Sequence, residues 1–137
     1  MIWTTRPRSE VGHLRAICAG EGPTVVLIHG VGLRAEAWGG QLDDLAQGCR
    51  VVAVDMPGHG DSPRLAHTPD LAAFTDAIMA AVDGPAVVIG HSFGAMIALD
   101  MAARYPTLVR GVGALNAIHQ RDTSARQAVL ARAAQLD

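Results

Sequence analysis

The chain has 137 residues, which suits a single domain with its own core. Its 11 basic residues, all arginine, are outnumbered by 13 acidic ones, and the formal net charge is −2. This balance argues against a nucleic-acid partner, and no run reaches the roughly 18 apolar residues of a membrane span. Because the N-terminus also lacks the apolar segment of a secretory signal, we expect a cytoplasmic protein that binds no membrane.

The predicted elements alternate between strands and helices from the N-terminus onward. Residues 11–19 predict an exposed early strand, and residues 20–23 predict a turn. Thr24–Ile28 is a continuous, largely β-branched run, which is typical of a strand covered on both faces. A glycine-rich loop at 29–32 follows, and apolar residues then recur at helical spacing until Gly48.

The second half of the chain continues this alternation. Thr68, Pro69 and Asp70 predict a helix start, with a hydroxyl N-cap, a proline at the first helical position and an acid in the first turn. Short connections between alternating elements predict an α/β fold with a mostly parallel, doubly wound sheet. The predicted elements are a strand at 50–54, a turn-rich loop at 55–63, a helix ending at Gly84, a strand at 86–89, a helix at Phe93–Arg104, a strand at Val109–Leu115 and a helix at 123–136.

The stretch Gly90-His91-Ser92-Phe93-Gly94 lies where a buried strand passes into a helix. A Gly-x-Ser-x-Gly turn at such a junction predicts a nucleophile elbow, which holds the serine Oγ clear of the sheet's carboxyl edge. Gly90 and Gly94 lack a Cβ, as the close approach of strand and helix there requires. Ser92 is therefore the predicted nucleophile, and we expect the His91 side chain to project away from it.

The unpaired N–H groups at the start of the helix behind Ser92 favour negative charge nearby. The backbone N–H of Phe93 can therefore donate to an oxyanion that forms on a substrate carbonyl. A second donor is expected from the loop at 29–32, where the N–H of Val31 is the strongest candidate.

Taken together, these motifs resemble the α/β-hydrolase fold superfamily over about residues 11–118. The resemblance implies Ser92 as nucleophile, an oxyanion hole made by the N–H groups of Val31 and Phe93, and a small-molecule acyl substrate. Relatives with an aspartate nucleophile are disfavoured, which leaves ester, lactone and C–C hydrolases. The matching residues are His29-Gly30, Trp38, Gln41, the loop from Asp55 to Ser62, and Gly90 to Gly94.

The family pattern is incomplete, because the acid and the histidine of the triad follow the serine in this fold. His119 is the only histidine after Ser92, and we expect it to lie on the surface or at the entry to a cap. Asn116 stands where some relatives carry an acid, but an amide cannot stabilise an imidazolium as a carboxylate does. Asp122 is expected to cap the last helix.

The resemblance also predicts the organisation of the chain. Residues 1–118 are expected to form the N-terminal part of a hydrolase core, truncated after about the sixth strand, and residues 119–137 to begin a cap helix. The catalytic competence of this length alone is therefore doubtful. The strand at Val109–Leu115 is expected to be an unprotected edge, through which the chain can associate with itself.

Other polar residues are expected to shape loops. His29 and His59 fit this role, and one of them is a candidate for contact with substrate. Asp55 and Asp61 are expected to hold their turn through hydrogen bonds to the backbone. No metal or cofactor is predicted. The alternative to a hydrolase is a non-catalytic ligand-binding or assembly module, which the missing base favours and the intact elbow opposes.

Overall fold

The structure is a computed structural model that describes residues 5–117 and 122–135. Six strands form one sheet in the order β1-β2-β4-β3-β5-β6, in which β3 to β6 are parallel and β1 and β2 are antiparallel. The alternating, mostly parallel sheet expected from the sequence is thus confirmed. The elements are β1 (Ser9–Val11), β2 (Leu14–Ala19), β3 (Thr24–Ile28), a 3₁₀ helix (Ala35–Trp38), α1 (Gly39–Leu45), β4 (Arg50–Asp55), α2 (Leu71–Ala81), β5 (Ala86–His91), α3 (Phe93–Arg104), β6 (Val109–Leu115) and α4 (Thr123–Ala133).

Helices cover both faces of the sheet, because neighbouring side chains along a strand point to opposite sides. On one face, α2 and α3 bury Ile78 and Ile97 against β3, β4 and β5. On the other face, the 3₁₀ helix and α1 bury Trp38 and Leu42 against Leu27 and its neighbours. Each of the two layers is a separate apolar cluster, so the central strands are buried on both sides.

Parallel pairing of β3 with β5 sets the place of the candidate site. Ile28 lies opposite Gly90 in the register of these two strands. Both strands therefore end at the same edge of the sheet, and the segments that follow, His29-Gly30 and Ser92, leave the sheet side by side.

Three local predictions were wrong in detail. Residues 11–19 are not one strand, because Gly12 adopts a φ of +61° in the turn of a hairpin between β1 and β2. The first helical segment starts as a 3₁₀ helix before α1. The N-cap of α2 is Asp70 rather than Thr68, since the Asp70 carboxylate accepts a hydrogen bond from the Ala73 N–H at 2.8 Å.

The C-terminal helix α4 has the cap expected for it. Asp122 accepts a hydrogen bond from the Ala125 N–H at 2.7 Å, and no residue of α4 is buried. The candidate His119 lies outside the described residues. Within 5–117 and 122–135, no helix combines the length and apolar character needed to cross a membrane.

Strand β6 ends the sheet in the part of the chain that the structure describes, where it pairs with β5 alone. Val112 and Leu115 are 41% and 50% exposed, which is high for apolar residues of a strand. Unpaired backbone groups beside exposed apolar side chains form a surface on which a second strand can pair.

We expect Val112→Lys to reduce self-association of the chain, because a lysine on an edge strand opposes pairing with another strand. Size-exclusion chromatography over a range of concentrations measures the effect. Leu130→Lys is the matched control, since Leu130 is 62% exposed on α4, outside the sheet. Equal association of both variants and the parent chain would contradict a role for this edge.

Candidate active site

Ser92 is a single residue between the end of β5 and the start of α3. Its backbone has φ 57° and ψ −118°, and non-glycine residues rarely adopt such positive φ values. Conformations of this kind are strained and concentrate at functional sites. The Ser92 side chain makes no capping hydrogen bond to α3, so the hydroxyl is not used to terminate the helix.

The two glycines of the motif allow the backbone to pack at this junction. A Cβ on Gly90 would lie 2.0 Å from the Gly94 carbonyl oxygen, and a Cβ on Gly94 would lie 2.2 Å from the Ile28 carbonyl oxygen. Both distances are far below van der Waals contact, so no side chain fits at either position. The glycines therefore bring α3 directly against the end of β3.

Gly30 brings the loop after β3 to the elbow. A Cβ at Gly30 would lie 3.4 Å from the Ser92 Cβ, so the two residues are nearly in backbone contact. The Leu33 N–H donates to the Gly30 carbonyl at 3.2 Å, and Gly32 has a φ of +80°, as the third residue of a type II turn requires. Val31 is thus the second residue of this turn, immediately after the contact with Ser92.

The N–H groups of Val31 and Phe93 are the two oxyanion donors expected from the sequence. Within the described ranges, neither group donates a hydrogen bond to the backbone outside helices and strands. Phe93 is the first residue of α3, where an N–H has no partner inside the helix. Both amides are consequently available to an external acceptor.

His29 is buried and joins the loops that follow β3 and β4. Its Nε2 accepts a hydrogen bond from the Met56 N–H at 3.1 Å, so in the neutral ring Nδ1 carries the proton and donates to the Gly30 carbonyl at 2.7 Å. Burial lowers the pKa of His29 to about 4, which keeps the ring neutral at pH 7. Its hydrogen bonds fit the loop-shaping role expected for it, and the His59 ring lies 5.3 Å away between centroids.

A buried ion network, which sequence reasoning missed, fastens the same two loops. The Arg8 guanidinium bonds to Glu36 and to Asp55, with Nε 2.9 Å from Asp55 Oδ2. Asp55 also accepts from the N–H groups of Ala35 and Asp61, at 2.8 and 3.0 Å. Asp55 thus holds its turn as expected, while nothing in the local pattern around Arg8 indicates its partners 28 and 47 residues away.

The network lowers the pKa of both carboxylates. Burial opposes ionisation of Glu36, yet the hydrogen bonds from Arg8 and from the Arg6 N–H outweigh it and lower the pKa to about 2. Asp55 is shifted in the same direction, because bonds from Arg8 and two backbone N–H groups outweigh its burial. Charges in this position stay ionised and paired across the neutral range.

The side chain of His91 faces a cavity of about 290 Å³ beside the elbow. Asn116, in a left-handed conformation with φ 56°, lies with its Nδ2 3.2 Å from the His91 Nε2. Sequence reasoning considered Asn116 only as a replacement for an acid, and the structure shows that it partners His91. The cavity is lined by His29, Leu33, Ala37, Trp38, Gln41, His91 and Leu115.

We expect Gly94→Ala to destabilise the fold by several kcal/mol or to prevent folding, because the added methyl overlaps the Ile28 carbonyl. Gly40→Ala is the matched control: the methyl meets open space on α1, and we expect a gain of about 0.5–1 kcal/mol. Urea unfolding followed by circular dichroism measures both. Similar stabilities for the two variants would refute the close approach at Gly94.

The Glu36 pKa predicts an acid-sensitive fold. A carboxylate whose pKa is lowered from about 4.5 to about 2 adds stability above pH 4.5 and loses it as the pH falls toward 2. We expect the free energy of unfolding of the parent chain to fall by about 3 kcal/mol through Glu36 over this pH range, and Glu36→Gln not to show this fall. Glu36→Gln should also be less stable than the parent at pH 7, because it leaves Arg8 with one carboxylate fewer. Urea unfolding between pH 7 and 2.5 measures the slope, and Asp43→Asn, at an exposed ion pair, should keep it. An unchanged slope in Glu36→Gln would contradict the assignment.

Comparison with known proteins shows which family the chain resembles. A sequence model of the alpha/beta hydrolase fold matches residues 23–137. The chain is 40% identical over 118 residues to the (E)-2-((N-methylformamido)methylene)succinate hydrolase of Acinetobacter baylyi, covering 83% of this chain and 45% of that protein. It is 44% identical over 91 residues to the pimeloyl-[acyl-carrier protein] methyl ester esterase of Methylococcus capsulatus, covering 66% and 35%.

A solved structure gives the same result. The crystal structure of E-2-(acetamidomethylene)succinate hydrolase superposes on this chain with a TM-score of 0.83. The two sequences are 30% identical, and the match covers 92% of this chain and 49% of the other. The chain spans less than half the length of the curated relatives it matches. Sheet order and sequence similarity agree, and the chain belongs to the alpha/beta hydrolase fold family.

Proposed function

We propose that the chain carries the nucleophile and the oxyanion hole of a serine hydrolase that cleaves ester or related acyl bonds of a small molecule. The observation that supports this most strongly is the backbone of Ser92, which has a φ of 57° between β5 and α3. Strain at a non-glycine residue in this turn supports a hydroxyl that is held above the edge of the sheet for catalysis.

In the proposed reaction, Ser92 Oγ bonds to the substrate carbonyl carbon while a base takes the hydroxyl proton. The carbonyl oxygen becomes negative and accepts hydrogen bonds from the N–H groups of Val31 and Phe93. When the tetrahedral intermediate collapses, the leaving group departs with the proton, and water then releases the acyl group from the serine. The positive end of the α3 dipole favours the charged intermediate.

The base and its orienting acid are proposed to lie outside the described residues. The His29 ring is bound to Met56 and Gly30, and the His91 ring faces Asn116. Because the chain covers 45% or less of the two relatives above, the rest of such an enzyme has room for both groups. We further propose that residues 1–118 belong to the core and that residues 119–137 begin a cap, in keeping with the lack of any buried residue in α4.

The names of the relatives indicate the substrate class. One is named as a hydrolase of an (N-methylformamido)methylene derivative of succinate, and the other as an esterase of a pimeloyl methyl ester. We propose substrates of this general kind, with C–C bonds beside a carbonyl as a further option.

The competing function is a non-catalytic binding module. It is favoured by the hydrogen bonds that already engage the His29 and His91 rings, the two imidazoles near the elbow.

We expect a fluorophosphonate probe to label the parent chain slowly at Ser92, because the described residues include the proposed oxyanion donors but no positioned base. Ser92→Ala should lose the label and any residual hydrolysis of a chromogenic short-chain ester. Ser124→Ala, at an exposed serine of α4, is the matched control and should be labelled like the parent. Equal labelling or equal ester hydrolysis in Ser92→Ala and the parent would reject the proposal, and a folded but unlabelled parent chain would favour the binding module.

A further inference from the structure

A second cleft, of about 330 Å³, lies between the loop after β4 and the start of α2. We call it the basic cleft, because the side chains of His59, Arg64 and His67 line it. Leu65, Phe74 and two prolines supply its apolar walls, and no acidic residue of the described chain is among the lining residues. Its volume lies within the range of ligand pockets, about 300–1,000 Å³.

The Arg64 guanidinium of the basic cleft has no carboxylate partner among the described residues. Within residues 5–117 and 122–135, Arg64 and His67 take part in no ion pair, whereas Arg8 is enclosed by two carboxylates. Two acids are near in sequence: Asp61, whose carboxylate lies 3.7 Å from both Arg8 and Arg34, and Asp70, whose carboxylate accepts from the Ala73 N–H at the start of α2. An arginine without an ion-pair partner in a chain of net charge −2 favours an anionic ligand.

Two contacts connect the basic cleft to the elbow. On one side, Phe74 packs edge-to-face on Phe93, the residue after Ser92, with ring centroids 5.2 Å apart. On the other side, the His59 ring lies 5.3 Å from the His29 ring, whose Nδ1 bonds to the Gly30 carbonyl. The cleft therefore borders the same segments that surround the nucleophile.

We propose that the basic cleft binds a carboxylate of the substrate whose acyl carbonyl is presented to Ser92. The Arg64 guanidinium offers a fork of N–H donors that matches the two oxygens of a carboxylate, and His67 adds a further donor. Leu65 and Phe74 contact the methylene groups that lead to that carboxylate. This inference rests on the proposed hydrolase function and deepens it, because it selects acids and half-esters over neutral esters.

The test measures binding rather than turnover, by NMR chemical-shift titration of the full chain. Succinate and monomethyl succinate are expected to shift the backbone amides of residues 58–68, and dimethyl succinate to bind about tenfold more weakly or not at all. Arg64→Gln should weaken succinate binding about tenfold. Arg110→Gln removes the same charge from β6, at an exposed residue with no ion pair in the described part of the chain, and should bind like the parent.

Ser92→Ala separates this inference from the proposed function. Succinate binding that is unchanged in Ser92→Ala supports the cleft even if the serine proves unreactive. Equal binding of succinate and dimethyl succinate, or an equal effect of Arg64→Gln and Arg110→Gln, would overturn the proposal. Inorganic phosphate at the same ionic strength distinguishes the ligand class, and tighter binding of phosphate than of succinate would overturn the assignment to a carboxylate.

Discussion

The close approach of three backbone segments is the constraint on which this structure depends. The start of α3 touches the end of β3 at Gly94, where no side chain fits, and Gly30 lies within van der Waals distance of Ser92. Packing at this distance forces the chain to reverse from strand to helix within one residue, and Ser92 takes the resulting positive φ. The candidate hydroxyl and the two candidate donor amides are consequently positioned by backbone contacts, which are stiffer than contacts between side chains.

The charged residues near the β5–α3 junction are of two kinds, one buried and paired and the other exposed. Arg8, Glu36 and Asp55 are buried and paired, and they hold the segments after β3 and β4 in one arrangement. Desolvating these ions costs free energy that their pairing and hydrogen bonds offset, so the loss of one partner would leave a buried charge unpaired. Arg64 and His67 lie on the outer part of the β4–α2 loop, where both residues are exposed. The start of the loop is thus held by buried ion pairs, while its outer part is exposed.

Local sequence patterns predicted the central elements well. Thr24–Ile28, Phe93–Arg104 and Val109–Leu115 have the predicted bounds, because a buried strand and an apolar helix each leave a continuous signal. The patterns failed where two local structures fit the same residues equally well. A hairpin through Gly12 reads as one alternating strand, and both Thr68 and Asp70 are good N-caps, so only the path of the chain between them selects one.

The sequence by itself determined the turn at Ser92, since glycines at 90 and 94 admit a sharp strand-to-helix junction that other residues would block. It also determined the alternation of strands and helices, which depends on neighbours within a few residues. Only the tertiary structure decided that Arg8 meets Asp55, that Phe74 meets Phe93, and that Asn116 meets His91. These partners lie 19 to 47 residues apart along the chain, and they meet because strand order and register bring their segments together, which no local pattern encodes.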